Sequence, residues 1–70
     1  MKRRKVDSEA LASVGYNSSK RVLHIEFTSG EVYSYLEVPP NVFKELLEAD
    51  SHGRYFHEHI REQYQYTKIS

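Results

Sequence analysis

Two groups of residues in this 70-residue chain have the types and spacing to hold an anion. Lys2, Arg3, Arg4 and Lys5 put four of the ten basic residues in the first five positions. Further along, Ser51-His52-Gly53-Arg54 reads as a turn into a helix, where unpaired backbone amides and the helix dipole favour negative charge. Arg61 follows Arg54 at i+7, on the same helical side. Phosphate binding is the chemistry both groups could serve. The basic run would supply diffuse charge, and Ser51, Gly53, Arg54 and Arg61 a fixed contact. Each also has a plainer use: Ser51 as the N-cap of the helix it precedes, and the basic run as a solvated terminus.

Other chemistries find fewer parts. Four histidines invite a metal, but His57 and His59 lie two apart on an expected helix, roughly 200° around it, and so diverge. His24 and His52 sit elsewhere, His-Glu-x-x-His is absent, and no fourth ligand converges with them, so no metal is expected. Ser51 beside His52 or His57 lacks both an elbow motif and an orienting acid, and a nucleophile needs both partners within reach. Glu58 and Glu62 at i, i+4 read as solvated charge rather than an acid–base pair. The remaining chemical feature is aromatic: six tyrosines and three phenylalanines, with Tyr33-x-Tyr35 the clearest pair. Exposed, those rings would stack bases in the manner of single-strand binders; buried, they are core material with hydroxyls at the rim.

Composition narrows the classes. Seventy residues make one small domain near the lower limit for a self-sufficient core. Without cysteine there is neither a disulfide framework nor a thiolate metal site. The formal net charge is zero, but beyond Lys5 six basic residues face ten acidic ones, a net of −4. A neutral total therefore hides a basic arm on an acidic body, whereas nucleic-acid domains usually carry a basic face on the folded part. No run is long and apolar enough to cross a membrane, and no signal-peptide stretch opens the chain, so a soluble cytoplasmic protein is expected.

The elements that must position these residues begin at residues 11–16, a first strand anchored by Leu11 and Val14 with Gly15 as a bulge or close-approach point. Asn17-Ser18-Ser19-Lys20 is a turn. Residues 21–27 are the clearest strand, with Leu23, Ile25 and Phe27 alternating with His24 and Glu26. Residues 31–38 pair with it antiparallel and stop at Pro39-Pro40. A three-residue loop, Thr28-Ser29-Gly30 with Gly30 left-handed, suits this connection best. Ile25 then opposes Tyr33 and Leu23 opposes Tyr35, which puts both tyrosine rings on the apolar face. Helices follow at residues 40–49, with Val42, Phe43, Leu46 and Leu47 as one stripe, and at 54–63, with Phe56 and Ile60 inward. Residues 65–70 are expected as coil. The core is expected to comprise Leu23, Ile25, Phe27, Phe43, Leu46, Leu47, Phe56 and Ile60.

Several of these pieces, in order, resemble a known family. Val14-Gly15-Tyr16, Leu23-x-Ile25-x-Phe27-x-x-Gly30, Tyr33-x-Tyr35, Val38-Pro39, Phe43-x-x-Leu46-Leu47-x-Ala49, Ser51-x-Gly53-x-Tyr55-Phe56 and Ile60-Arg61 look like the bacterial KTSC domain. That module is found at the C-terminus of some lysyl-tRNA synthetases and as a stand-alone small protein. The resemblance runs from about Leu11 to Tyr66 and leaves the basic arm outside. It implies RNA binding, through the attachment to a synthetase, and brings no established catalytic residues. Many members carry Asn after the Tyr-Phe pair, where this chain has His57.

The resulting expectation is an α+β fold: a three-stranded antiparallel β-meander followed by two helices packed on one face. Residues 1–10 are expected as a flexible basic arm and 11–70 as a single small domain. Its function is expected to be non-enzymatic binding without cofactor or metal. RNA is the leading ligand, held by Lys2, Arg3, Arg4, Lys5, Ser51, Gly53, Arg54 and Arg61. A protein-interaction module is the alternative, since an acidic body with scattered aromatics fits it equally well.

Overall fold

A computed structural model describes residues 3–70. Its elements are β1 (Arg3–Lys5), β2 (Leu11–Asn17), β3 (Val22–Phe27), β4 (Val32–Tyr35), α1 (Pro40–Glu48), α2 (His52–His59) and β5 (Tyr66–Lys68). The fold is α+β, but the sheet has five antiparallel strands rather than three, in the order β1-β2-β3-β4-β5. Both additions lie at edges. Residues 3–5, expected as part of a flexible arm, pair with β2, Arg3 opposite Gly15 and Lys5 opposite Ser13. Residues 66–68, expected as coil, pair with β4 after the two helices. All six residues of these edge strands are exposed. Neither strand has an apolar stripe to announce it. What they offer is backbone donors and acceptors to β2 and β4, which would otherwise present unpaired ladders.

The β3–β4 hairpin has the expected geometry. Phe27 N–H donates to Glu31 O (2.8 Å), Gly30 N–H donates to Phe27 O (2.9 Å), and Gly30 has φ +99°. Leu23 opposes Tyr35 and Ile25 opposes Tyr33. In β2 the bulge falls between Leu11 and Ser13, not at Gly15, which pairs regularly with Arg3 and His24. That extra residue resolves a parity conflict. Leu11 and Val14 are three apart and would lie on opposite faces of a regular strand, yet both are fully buried in the same cluster.

β4 ends at Tyr35, sooner than expected, because the chain bends before the prolines. Glu37 adopts a left-handed φ of +57°, and Val38 N–H donates to the carbonyl of Arg21, itself at φ +55°. The Tyr16 hydroxyl donates to Val38 O, and the Tyr16 ring stacks on Phe43 with centroids 5.0 Å apart. This fastens the start of α1 to β2. Ser51 caps α2 as expected, its Oγ accepting from Arg54 N–H (3.2 Å). The helix therefore begins at His52 rather than residue 54, and it ends at His59 rather than 63, with Ile60 as its C-cap. His52 Nδ1–H donates to Leu46 O (2.7 Å), satisfying a carbonyl in the last turn of α1.

Both helices cover one sheet face. Of the expected core, Leu23, Ile25, Leu46, Phe56 and Ile60 belong to the buried cluster, while Phe27, Phe43 and Leu47 pack around it half-buried. Leu11, Val14, Tyr35 and Val38 complete the cluster.

A Cβ at Gly30 would meet nothing within 4 Å, so the cost of Gly30→Ala is that of the backbone alone. Equilibrium unfolding in denaturant should show a loss of about 1 kcal/mol, and a smaller loss for Gly30→Asn, which tolerates the left-handed region better.

Candidate functional site

Of the residues expected to hold phosphate, Lys2 lies outside the described residues. Arg3, Arg4 and Lys5 are exposed on β1, at one edge of the sheet. Because strand residues alternate, Arg3 and Lys5 share the face bearing no helix, and Arg4, opposite Val14, points the other way. On the helix-free face Arg3, Gly15, His24, Ser34 and Thr67 form one row across all five strands. Next to it, Ser13 Oγ donates to Glu26 (2.8 Å). The face mixes small polar side chains with His24, Glu26 and Val32, and its positive charge lies at the β1 edge.

The Ser51–Arg54 turn is more occupied than its sequence suggests. Ser51 Oγ already takes the Arg54 amide. A side chain at Gly53 would meet Ala10 Cβ at 3.4 Å and Ser8 Oγ at 3.5 Å, because the β1–β2 connection packs over the helix start. Arg54 pairs with Glu58 (3.5 Å) along the exposed side of α2. Arg61 lies beyond the helix end, and its Nη1–H donates to His57 Nδ1 (3.2 Å). The two arginines are not brought together. Arg61, His57 and Gly53 instead line one wall of a cleft, and Arg54 does not.

That cleft has a volume of about 760 Å³. Its floor is aromatic: Phe27 and Tyr33 meet edge to face at 5.5 Å, and Tyr66 lies 5.4 Å from Tyr33 and 5.5 Å from Tyr35. Phe56 of α2 stands edge-on to both Phe27 and Tyr35 at 5.4 Å. The hairpin register puts both Tyr33 and Tyr35 on this face, as expected. Tyr35 is buried at 3% exposure, Tyr33 is half-buried, and Tyr66 is 56% exposed. The tyrosine pair is thus neither a free stacking platform nor wholly core, but the floor of an open slot. Tyr66 and Tyr64 are the cleft residues that sequence reasoning missed. The alternation of Tyr64, Tyr66 and Lys68 with polar residues was the available signal, and it is too short to distinguish from coil. Among the described residues no group of three or more His, Asp or Glu could hold a metal ion. No helix is long and apolar enough to cross a membrane.

The KTSC domain family model matches residues 7–64. The chain belongs to the KTSC domain family. Its fold superposes on the crystal structure of a KTSC domain protein from Yersinia pestis with a TM-score of 0.96 at 33% identity, covering 99% of this chain and 97% of that one. A protein of Stutzerimonas stutzeri, named only as uncharacterised, is 46% identical over 70 residues, 99% of each chain. The lysine–tRNA ligase of Trichormus variabilis is 44% identical over 55 residues, which are 79% of this chain and 10% of that enzyme. The KTSC family is not a known catalytic one, and the ligases are far longer proteins in which this domain is a minor segment.

Two titrations report on the two faces of this KTSC domain. On the helix-free face, burial and then the Arg3 guanidinium lower the pKa of His24 from its ordinary 6.5. The unfolded chain therefore binds the proton more readily, and stability declines as pH falls below about 6.5. Arg3→Gln should raise the His24 midpoint while leaving it below the ordinary value, as read by imidazole NMR titration; an unmoved midpoint would mean β1 does not sit on the sheet. In the cleft, burial first, then the Tyr66 and Tyr33 phenols, push Tyr35 up to about 12 against the opposing charge of Arg61. The folded state keeps a proton that the unfolded chain sheds near 10.0, so stability should fall as pH rises from about 10 to 12. Tyr35→Phe should lose the latest step of the tyrosinate absorbance titration and part of this alkaline decline.

Proposed function

We propose that this KTSC domain is a small, non-enzymatic, cytoplasmic module that binds single-stranded or looped RNA. The observation that carries the proposal is that homologous sequence forms part of a lysine–tRNA ligase, an enzyme whose name implies handling RNA. The distribution of charge supports it. Three of the basic residues are held on β1 at the sheet edge, and Lys2 precedes them in sequence. Ser51, Gly53, Arg54 and Arg61 at the start and end of α2 would position phosphate. Of these, Arg61 is the better placed, because Arg54 is engaged with Glu58 and the Gly53 amide region is crowded by residues 8–10.

Phosphate contacts fix position without reading sequence, so binding should be weak, salt-dependent and tolerant of sequence. Since Arg3–Lys5 form a strand, the informative variant neutralises charge and keeps the pairing: Arg3→Gln, Arg4→Gln and Lys5→Gln together. It should weaken binding to unstructured RNAs of different sequence by a similar factor. The slope of log affinity against log salt should fall by about 2, at roughly 0.7 per lost contact on a single strand. Arg54→Ala should weaken binding less than Arg61→Ala, because Glu58 already engages Arg54. No binding at low salt by the parent protein, or parent-like affinity of the triple variant, would refute the proposal; retention of a partner protein in place of RNA would favour an interaction module.

A further inference from the structure

We infer that the cleft between β5 and α2 holds one unpaired ribonucleotide, its base lying on Tyr66 and its phosphate meeting Arg61. The inference rests on the RNA reading for its occupant, while the slot itself follows from geometry. Three features converge there. The first is stacking surface: Tyr66 is 56% exposed at the mouth of the cleft, with the rings of Tyr33 and Tyr35 packed behind it at 5.4 and 5.5 Å.

The second is a hydrogen-bonding group in the floor. Tyr35 is 97% buried, and its ring lines the cleft. No buried side-chain oxygen or nitrogen among the described residues is left without a partner, and we assign this hydroxyl to the open space of the cleft that Tyr35 lines. Like any tyrosine phenol it is protonated, and hence a donor, at neutral pH. The third is charge. Arg61 lines the wall and is near enough for its charge to act on the Tyr35 phenol. It donates to His57, and among the described residues no carboxylate forms an ion pair with it. Of the two carboxylates lining the cleft, Glu31 is held by Lys68 at 3.1 Å, and Glu62 is exposed.

A nucleotide supplies counterparts to all three features in one unit: a flat π-face, acceptors on the base edge and a phosphate. The cleft volume, about 760 Å³, falls in the range of small-ligand sites. An apolar peptide side chain would cover the rings and leave the Tyr35 donor and the guanidinium without acceptors, which is costly once water is excluded. Stacking is sequence-tolerant because every base has a π-face, so any base preference would come from the Tyr35 hydroxyl.

The test is a titration of the full chain with short oligoribonucleotides, and separately with uridine and adenosine 5′-monophosphates, following backbone amide shifts. Ribose 5-phosphate and inorganic phosphate serve as controls. Mononucleotides should shift amides of Tyr33, Tyr35, Arg61 and Tyr66, and the controls should move them far less. Tyr66→Ala should weaken oligonucleotide binding at least five-fold, the loss of one stacked base, while Tyr66→Phe retains it. Tyr35→Phe, which keeps the ring, should alter the ratio of affinities for uridine and adenosine, a change no loss of stability would produce. If RNA binds but these amides stay still and Tyr66→Ala behaves as the parent, the slot is refuted and the RNA reading survives. If mononucleotides fill the cleft and polymeric RNA does not bind, the slot stands and the RNA reading falls. If an acidic aromatic peptide shifts the cleft amides and nucleotides do not, the occupant is a protein and the inference is overturned.

Discussion

The three-residue loop between β3 and β4 determines which side of the sheet the β4 rings occupy. With Gly30 left-handed, the pairing counts back from Phe27 and Glu31, and Tyr33 and Tyr35 fall on the face that already carries Ile25 and Leu23. A slip of one residue would send both tyrosines to the helix-free face beside His24 and Glu26, and turn Ser34 into the core. Phe56 would then lose the edge-on contact to Tyr35, and Tyr66 would have no ring beneath it. Core and cleft therefore depend on the same register. The β2 bulge performs a matching correction on the other side of β3, where it lets Leu11 and Val14 enter one cluster despite their odd spacing.

What could be read in advance follows from which residues carry a periodic apolar signal. Leu23, Ile25 and Phe27 alternate cleanly, the loop chemistry around Gly30 is distinctive, and Ser51 is a good cap. The hairpin, its parity and the start of α2 were accordingly visible within a residue or two. The edge strands were not. Lys and Arg at positions 3–5 and Tyr-Thr-Lys at 66–68 become strands through the unpaired backbone of a neighbour, a long-range effect with no trace in the local sequence. The bulge at Ala12 and the early end of α2 at Ile60 likewise answer to tertiary packing, since Leu11 and Ile60 are both fully buried.

The site was only half legible for the same reason. Arg54 and Arg61 share a helical side in an ideal helix, but the helix stops between them, and Arg54 bonds Glu58 while Arg61 bonds His57 and lines the cleft. Tyr33 and Tyr35 were identifiable as a pair, yet whether they were core or surface depended on Tyr66, which arrives on a strand the sequence does not announce. Positive charge is also spread rather than concentrated. β1 and β5 are opposite edges of a five-stranded sheet, about 19 Å apart at about 4.8 Å per strand. The basic strand and the aromatic cleft are thus separate surfaces, one suited to drawing in a polyanion and the other to seating a single flat ring.

The sheet order also carries an entropic consequence. β1 to β4 each pair with the strand next to them in sequence, so their contacts close short loops and cost little chain entropy. β5 lies beyond both helices in the chain, so its pairing with β4 closes a much longer loop, and its three residues are exposed. Pairing across so long a loop costs more chain entropy than any other strand pair in the sheet, and backbone bonds from residues 65, 69 and 70 with the Lys68–Glu31 pair offset part of it. Tyr66 rides on that edge. The aromatic cleft is therefore completed through the longest-range strand pairing in the sheet, whereas the hydrophobic cluster beneath it draws mainly on strands that are neighbours in sequence.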